Sequence, residues 1–328
     1  MSDKAILVEG LAKSFGPVAA LDGIDFDVPP ASVFGLLGPN GAGKTTAVRI
    51  LTTILIPDGG RAEVLGHDVV RDPWAVRSRI GLAGQNAAVD PNLTGRENLR
   101  LVGRLAHVAR HLIGPRTDEL LERFDLSDAA DRPVRTYSGG MRRRLDVSAA
   151  LVQRPEVLFL DEPTTGLDLR SRNELWEMIR ELVAEGTTVL LTTQYLEEAD
   201  RLTHNIAVVD HGHVIARGTP ADLKSRLGST VIEIGMADEH QAIRAEGVLA
   251  PYVPGKPERE GALVRVTSDD GPRVLIEVLR SLDAHELAPG SLTVREPSLD
   301  DVFLALTGRH AEPEPTPDRE AVPTGGAA

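Results

Sequence analysis

The chain has 328 residues, enough for one large domain or two modest ones. Its net charge of −13 and aromatic content of 3% argue against general nucleic-acid binding, which needs phosphate-neutralising charge and stacking side chains, so no nucleic-acid partner is expected. The absence of cysteine excludes disulfides and thiolate metal sites, and no run approaches the ~20 apolar residues of a membrane helix or forms an N-terminal signal peptide, so the sequence predicts a cytoplasmic protein.

The first elements are short strands. Apolar patterning predicts strands over residues 6–11 and 24–28, with the sequence GPVAALDG at residues 16–23 as a turn-rich bridge between them. A third strand, VFGLL, is expected at residues 33–37. A glycine-rich loop follows, and the helical spacing of TTAVRILTTIL at residues 45–55 predicts a helix after it.

The middle of the chain alternates helices with apolar strands. Charged residues spaced between leucines predict mostly helix between Gly95 and Arg135. Short buried strands are expected within residues 155–163 and 187–193, and an amphipathic helix at residues 171–186 closes at Gly186. Strands that alternate with helices indicate a parallel sheet with helices on both faces.

The pattern changes after about Lys224. A small second α+β unit is expected at residues 229–309, with Ser298 as the N-cap of a helix and Asp301 three positions on. Residues 310–328 are rich in Pro, Glu and Gly, which predicts a disordered tail. The unit's predicted strands are 230–236, 262–268 and 291–297, and its predicted helices are 240–250 and 272–282.

The strongest motif is GPNGAGKT at residues 38–45, which matches the phosphate-loop pattern G-x-x-x-x-G-K-[ST] completely. Glycines allow successive N–H groups to turn inward as an anion nest. Lys44 supplies a positive charge to the β- and γ-phosphates, and the Thr45 hydroxyl is a ligand for Mg²⁺. The candidate nucleotide-binding residues here are Gly38, Pro39, Asn40, Gly41, Ala42, Gly43, Lys44, Thr45 and Thr46.

A second motif, VLFLDE, occupies residues 157–162. An apolar strand that ends in a carboxylate delivers it to the carboxyl edge of the sheet, where ligands bind. Asp161 is therefore a candidate Mg²⁺ ligand, and Glu162 is a candidate general base for the attacking water. Without the phosphate loop, an acidic pair after a buried strand would mean little.

A third motif is the Ser-Gly-Gly run at residues 138–140, which precedes a long helix. Its backbone donors at a helix start suit an anion, although Ser138 as a simple N-cap explains the same pattern. Arginines at residues 142–144 point in different directions around that helix, so we expect a solvated face rather than a nucleic-acid site.

In combination these motifs resemble ATP-binding-cassette ATPases over residues 5–222, and in particular the ATPase subunits of daunorubicin/doxorubicin-resistance-type exporters. The supporting strings include GQNAAVDPNLTGRENL, TYSGGMRRRLDVSAALVQRPEVLFLDEPTTGLDLRSRNELW, TTVLLTTQYLEEADRL and EPSLDDVFLALTGR. The resemblance implies an α/β P-loop NTPase domain at residues 1–224. It also implies a helical subdomain at about 86–140 and the small C-terminal α+β domain.

The resemblance assigns further roles. Phe15 lies where the family stacks an aromatic ring on adenine, although a core phenylalanine is an equal alternative. Gln85 resembles the glutamine that senses Mg²⁺ and faces the transport partner. Ser138, Gly139 and Gly140 resemble the signature that contacts ATP held by the opposite protomer, and Asp168 resembles the aspartate that links the two sites.

Two positions depart from the commonest family pattern. Met141 stands where the signature usually has glutamine, and Gln194 stands where most of these ATPases have histidine. An amide can donate a hydrogen bond but cannot exchange protons near neutral pH. We therefore predict that Glu162 activates the water and that Gln194 only positions the γ-phosphate. The alternative for Gln194 is a polar strand terminus without a role.

These observations predict an ATP-hydrolysing subunit, with ATP and Mg²⁺ as cofactors, that energises export of a drug, lipid or other amphiphile. The implied partners are a second copy, arranged head to tail, and a polytopic membrane permease that residues 86–135 would dock. The chain would then be peripheral on the inner face of the cell membrane. The alternative is a soluble cassette ATPase that acts on ribosomes or DNA, but such proteins usually carry two cassettes or a long coiled coil.

Overall fold

A computed structural model of the protein describes residues 4–85, 88–228, 230–252 and 256–308. The predicted tail at 310–328 lies outside these residues. The chain separates into two compact units, and the boundary between them falls between Ile215 and Ala216.

Strands and helices alternate along the chain, as the sequence predicts for an α/β fold. The strands are β1 (Ile6–Phe15), β2 (Val18–Val28), β3 (Val33–Leu37), β4 (Gly59–Val64), β5 (His67–Asp68), β6 (Ile80–Ala83), β7 (Val157–Asp161), β8 (Thr188–Thr193), β9 (Asn205–Asp210), β10 (His213–Gly218), β11 (Thr230–Gly235), β12 (Glu258–Glu260), β13 (Leu263–Ser268) and β14 (Ser291–Arg295). The helices are α1 (Lys44–Leu51), α2 (Pro73–Arg77), α3 (Gly95–Leu105), α4 (Arg110–Arg123), α5 (Gly139–Ala150), α6 (Leu169–Ala184), α7 (Leu196–Leu202), α8 (Pro220–Ser225), α9 (Glu239–Leu249), α10 (Gly271–Ala284) and α11 (Leu299–Thr307).

The first unit opens with a tight antiparallel hairpin. Strands β1 and β2 pair down to Phe15 and Val18, so only Gly16 and Pro17 form the turn. The prediction of a turn-rich bridge over residues 16–23 is therefore wrong. Gly16 has a φ of 58°, a left-handed conformation that suits glycine and reverses the chain within two residues. These strands form a separate four-stranded sheet in the order β2-β1-β4-β5.

The central sheet of the first unit has the strand order β10-β9-β3-β8-β7-β6. The four pairs from β9 to β6 are parallel. Alternate residues of β7 enter two different cores. Leu158 and Leu160 pack in a core with helices α5 and α6, whereas Val157 and Phe159 pack in a core with α1 and β1. This arrangement confirms the predicted parallel sheet with both faces covered.

Helix α1 is shorter than the sequence predicts. The helical spacing continues to Leu55, but the helix ends at Leu51 with Thr52 as its C-cap. Thr53 has a φ of 63°, which no helix accommodates. The β-branched residues Thr52, Thr53 and Ile54 have low helix propensity, and this preference outweighs the apolar spacing.

The predicted helical segment between Gly95 and Arg135 contains α3 and α4, followed by single 3-10 turns at 127–129 and 134–136. Helix α3 begins at a capping box in which Thr94 and Glu97 satisfy each other's backbone N–H groups. Leu99 of α3 and Leu120 of α4 share a buried core with α5.

The second unit has an antiparallel sheet in the order β12-β13-β11-β14. Helices α9 and α10 bury residues such as Ala242 and Val278 in a core with Ile232 and Val264. The structure confirms the predicted N-cap of α11, because the Ser298 hydroxyl accepts a hydrogen bond from the N–H of Asp301 in a capping box.

Candidate functional site

Four adjacent parallel strands deliver the predicted site residues to one edge of the central sheet. Strands β3 and β8 end together, with Leu37 opposite Thr193, and β8 pairs with β7 so that Thr192 lies opposite Asp161. Strand β6 lies next to β7 and leads to Gln85. The carboxyl ends of parallel strands meet at one edge, so residues more than 100 positions apart converge.

The phosphate loop runs from the end of β3 to the start of α1. Its lysine is 4% exposed, and its Nζ donates to the carbonyl oxygens of Gly38 at 2.6 Å and Pro39 at 3.1 Å. The loop packs tightly against other backbone. A Cβ on Gly38 would lie 2.1 Å from the carbonyl oxygen of Val209. Gly43, the N-cap of α1, has a φ of 109°, so no other residue type fits there without strain.

Asp161 joins the phosphate loop to the neighbouring strand. Its Oδ1 accepts hydrogen bonds from the hydroxyl of Thr45 at 3.2 Å and from that of Thr192 at 2.5 Å. Two predicted Mg²⁺ ligands, Thr45 and Asp161, are thus in direct contact. The motifs do not predict Thr192, because its position opposite Asp161 depends on the register of β7 and β8.

Glu162 is 9% exposed and faces three parts of the site. Its Oε1 lies 3.8 Å from Lys44 Nζ, and its Oε2 accepts from Gln85 Nε2 at 3.3 Å and from the Thr165 hydroxyl at 3.4 Å. Its φ of 48° is left-handed, and its N–H donates to Thr192 Oγ1 at 3.0 Å. The main chain is therefore held in a conformation that costs energy, as often occurs at functional sites.

Gln194 directly follows β8 and lies beside the phosphate loop, because the N–H of Gly38 donates to the carbonyl oxygen of Thr193 at 3.3 Å. The Gln194 Oε1 atom is buried and has no hydrogen-bond partner among the described residues. A buried acceptor of this kind normally has a partner. A water molecule could donate to this atom. Phosphate oxygens only accept hydrogen bonds, so any direct contact of Gln194 with a phosphate would have to come from its Nε2 amide.

Phe15 lies at the tip of the β1–β2 hairpin. Its side chain is 49% exposed, so the alternative of a core phenylalanine is wrong. The Lys13 ammonium lies 5.8 Å from the centre of its ring. An exposed ring suits base stacking, and the role in adenine binding stays a prediction.

The signature residues lie at the start of α5. Ser138 is the N-cap, and its hydroxyl accepts from the N–H of Met141 at 3.2 Å, so the simple N-cap function is present. Ser138 and Gly139 are exposed, and a Cβ on Gly140 would lie 2.4 Å from the hydroxyl of Ser171. The signature therefore packs against the first turn of α6.

Asp168 is the N-cap of α6, next to the signature. Its carboxylate accepts from the N–H of Ser171 at 2.9 Å. Hydrogen bonds from the hydroxyl and the N–H of Ser171 hold the pKa of Asp168 below its ordinary value. The side chain is exposed and ionised, which leaves it available to a second chain.

The three arginines at residues 142–144 differ in burial. Arg143 is 9% exposed, so the predicted solvated face is wrong for this residue, whereas Arg142 is exposed. Three successive helix positions lie about 100° apart, so one of them faces inward in a helix that packs on a sheet. Arg144 is half-buried and pairs with Asp125 at 3.3 Å and with Glu174 at 3.9 Å.

The donor set fits a magnesium nucleotide. A hydroxyl, a carboxylate and an amide, from Thr45, Asp161 and Gln85, offer the hard oxygen ligands that Mg²⁺ prefers together with water and phosphate oxygens. Lys44 and the loop backbone supply positive charge and N–H donors for the phosphates.

Two family models match the chain. The model described as ABC transporter matches residues 21–165, and the model for the C-terminal domain of DrrA1-3-like ATP-binding proteins matches residues 218–307. Among solved structures, an ATP-binding cassette of an ABC transporter in its ADP conformation is 26% identical with a TM-score of 0.60, over 67% of this chain and 93% of that chain. This likeness confirms the predicted P-loop ATPase fold.

Two curated relatives align over nearly the whole chain. Daunorubicin resistance ATP-binding protein DrrA2 of Streptomyces coeruleorubidus is 54% identical over 314 residues, which cover 95% of this chain and 98% of that protein. Nod factor export ATP-binding protein I of Ralstonia nicotianae is 41% identical over 310 residues, which cover 94% of this chain and 95% of that protein. The chain therefore belongs to the ATP-binding subunits of ABC transporters, in the family that includes the daunorubicin resistance ATP-binding proteins.

Proposed function

We propose that this ABC ATPase, the energy-coupling subunit of an exporter, hydrolyses ATP with Glu162 as the residue that polarises the attacking water. The convergence of Lys44, Asp161 and Glu162 at one sheet edge carries this proposal. Lys44 binds the β- and γ-phosphates and neutralises charge that develops during transfer. Gln194 positions the γ-phosphate and exchanges no proton.

Magnesium would be held by Thr45 and Asp161, with Gln85 beside it. The ion would supply positive charge that offsets the negative charge of the phosphates. The Thr45–Asp161 hydrogen bond of 3.2 Å supports a common position for these two ligands. The 3.3 Å contact between Gln85 and Glu162 supports a shared role in sensing the loaded site.

A complete site needs two chains in this proposal. Each chain has one phosphate loop and one signature, and the signature of one would contact the γ-phosphate held by the other. The exposure of Ser138, Gly139 and Asp168 supports this assignment. A head-to-tail pair about a twofold axis completes two sites.

The second partner is a polytopic membrane subunit, docked by the helical subdomain at about 86–140 of the ATPase domain 1–224. Among the described residues, no helix has the length and apolarity to cross a membrane. A groove of about 200 Å³, lined mainly by apolar side chains such as Leu82, Val102 and Ala149, lies between β6, α3 and α5. A groove of this size and chemistry suits apolar side chains of a partner helix, and such a partner would place the chain on the inner face of the cell membrane.

The domain at 229–309 has its own core, and we assign it a structural role.

The relatives of the chain are drug-resistance and Nod factor export proteins, so the exported compound is a drug, lipid or other amphiphile. Transport by the reconstituted complex, screened over such compounds, would identify it.

Replacing Glu162 tests the catalytic assignment. Glu162→Gln keeps the shape and loses the base, so turnover should fall by at least ~100-fold, the usual contribution of a general base. Binding of ATP should survive. The measurement is phosphate release by the full-length chain, with nucleotide binding measured alongside.

Lys44→Ala is the control, because it should lose nucleotide binding itself. A Glu162→Gln protein that turned over at a similar rate would sink the assignment of the base. Copurification of the full-length chain with a multi-span membrane protein tests the partner. Recovery with ribosomes instead would contradict the exporter.

A further inference from the structure

Arg143 contacts the two segments that carry Glu162 and Gln85. From α5, its guanidinium donates to the carbonyl oxygens of Pro163 at 2.8 Å and Asp161 at 3.2 Å, the residues on either side of Glu162. The same group donates to the carbonyl oxygen of Gly84, the residue before Gln85, at 2.6 Å. One buried side chain therefore donates hydrogen bonds to the backbone of both catalytic segments.

Asp146 completes the contact one helical turn later. Its Oδ2 lies 3.1 Å from Arg143 Nη1, and its Oδ1 accepts from the N–H of Ala88 at 2.8 Å. The Asp146 side chain is 1% exposed. Gly84 and Ala88 lie on opposite sides of Gln85 in the sequence, so the pair contacts the chain both before and after Gln85.

Burial of two charges costs several kcal/mol per ion before pairing, and a well-packed apolar pair would often be at least as stable. Burial is the largest influence on both groups, and it lowers the pKa of Arg143 and raises that of Asp146. The carbonyl contacts of Arg143 give the pair a geometric function that apolar side chains would lack. The guanidinium reaches the three carbonyl oxygens from three different nitrogens, a spread of donors that the single nitrogen of a lysine ammonium lacks.

We propose that Arg143 and Asp146 are positioning residues. They hold the segments around Glu162 and Gln85 in a fixed position relative to α5, the helix that starts at the signature. The proposal deepens the proposed function and rests on it. Asp146 also lines the apolar groove between β6, α3 and α5. A partner bound in that groove would contact Asp146, and a shift of Asp146 and Arg143 would change the position of the Glu162 carboxylate.

The test is steady-state ATP hydrolysis by the full-length chain with Arg143→Met, Arg143→Lys and Asp146→Asn. The hydrogen bonds of the pair go to the segments around Glu162 and Gln85. We therefore expect kcat to fall 10- to 100-fold in Arg143→Met while the KM for ATP stays within about threefold. Arg143→Lys keeps the charge and should recover part of kcat. Asp146→Asn keeps the shape and should lower kcat less than Arg143→Met.

Arg116→Met is the matched control. Arg116 on α4 is also largely buried, donates to the carbonyl oxygen of Leu151 at 2.7 Å and pairs with Glu119, away from the site. It should lower the Tm and leave kcat unchanged. Equal losses of kcat in Arg116→Met and Arg143→Met, or wild-type kcat in soluble Arg143→Met or Arg143→Lys, would overturn the proposal.

If the arginine variants do not fold, Asp146→Asn still tests the proposal, because a wild-type kcat in Asp146→Asn would also overturn the positioning role. If the wild-type chain neither binds nor hydrolyses ATP, the proposed function fails. If it does both and the variants match it, only the positioning role fails.

Discussion

At the scale of single residues, the site pairs each buried charge with a fixed contact. Lys44 is bound to the carbonyl oxygens of its own loop, and Glu162 lies between that lysine and Gln85. The backbone around Glu162 is fixed by Thr192. The site is therefore preorganised before a nucleotide enters, which is the condition under which electrostatic stabilisation is effective.

Gln194 should make the pH dependence of turnover different from that of a site with histidine at this position. An amide does not titrate near neutral pH, so the pH profile of kcat of the wild-type protein should show no transition that comes from Gln194. Gln194→His should retain turnover and add a step near pH 6.5, the ordinary value for histidine. The measurement is the pH profile of kcat from about pH 5.5 to 8.5.

Gln194→Asn, an amide on a shorter stem, is the control and should lower kcat without adding a step. An unchanged profile in Gln194→His would show that position 194 does not contact the reacting phosphate.

The sequence predicted the residues of this site better than their connections. Lys44 and Asp161 follow from motifs, because a phosphate loop and a strand-end carboxylate have known positions in a parallel sheet. Thr192 depends on strand register, which no single motif encodes. Arg143 had one available signal, namely Asp146 three positions on within an apolar stretch, since a charge among apolar residues must be paired.

At the scale of elements, local chemistry set the boundaries that periodicity missed. Helix α1 stops at Leu51, where β-branched residues begin. The chain turns at Gly16 and Pro17, and β2 continues through residues that look like a loop. The elements that were predicted have the expected type and order because their apolar patterns are long, but β4 to β6 and β9 to β10 were not predicted. The ends of strands and helices depend on two or three residues and on pairing with distant strands.

Helix α11 carries a prediction about acid stability. Burial opposes ionisation of Asp301, but hydrogen bonds from Arg295 and Ser298 outweigh it, so the pKa of Asp301 lies below its ordinary value. A carboxyl whose folded pKa is depressed stabilises the fold above its unfolded pKa of about 4. That stabilisation is lost as the pH falls from there through the folded value.

Asp301→Asn should therefore lower the free energy of unfolding at pH 7 by about 2 kcal/mol, the scale of hydrogen bonds to a charged group. The variant should also lose part of the acid sensitivity. Urea unfolding of the full-length chain at several pH values below 7 measures both. Asp283→Asn, an exposed position on α10, is the control. If the free energy of unfolding changed with pH in the same way in the wild type and in Asp301→Asn, the proposed contribution of Asp301 to acid sensitivity would be refuted.

At the scale of the whole molecule, the two-chain site predicts complementation. A Lys44→Ala chain lacks a working phosphate loop, and a Ser138→Arg chain lacks a working signature. Each should be inactive alone, but a mixed dimer contains one complete site. With random pairing, half of the dimers are mixed and half of their sites work, so about a quarter of wild-type turnover should return.

The measurement is ATP hydrolysis after the two purified chains are mixed in equal amounts. A mixture of Lys44→Ala with Glu162→Gln is the control, because both changes lie in the same half of a site. If that mixture recovered as much turnover as the first, the assignment of Ser138 to the opposite chain would fail.

The pairing of β3 with β8 also has a consequence for the newborn chain. Leu37 lies opposite Thr193, so the strand before the phosphate loop leaves the ribosome 156 residues ahead of its neighbour. At ordinary rates of translation this is about 8–30 s. During that time the four apolar side chains of β3 have no strand beside them on that side, and they are exposed to chaperones or to other nascent chains. Slower synthesis between codons 37 and 193 should therefore reduce the yield of active enzyme more than equal slowing after codon 230.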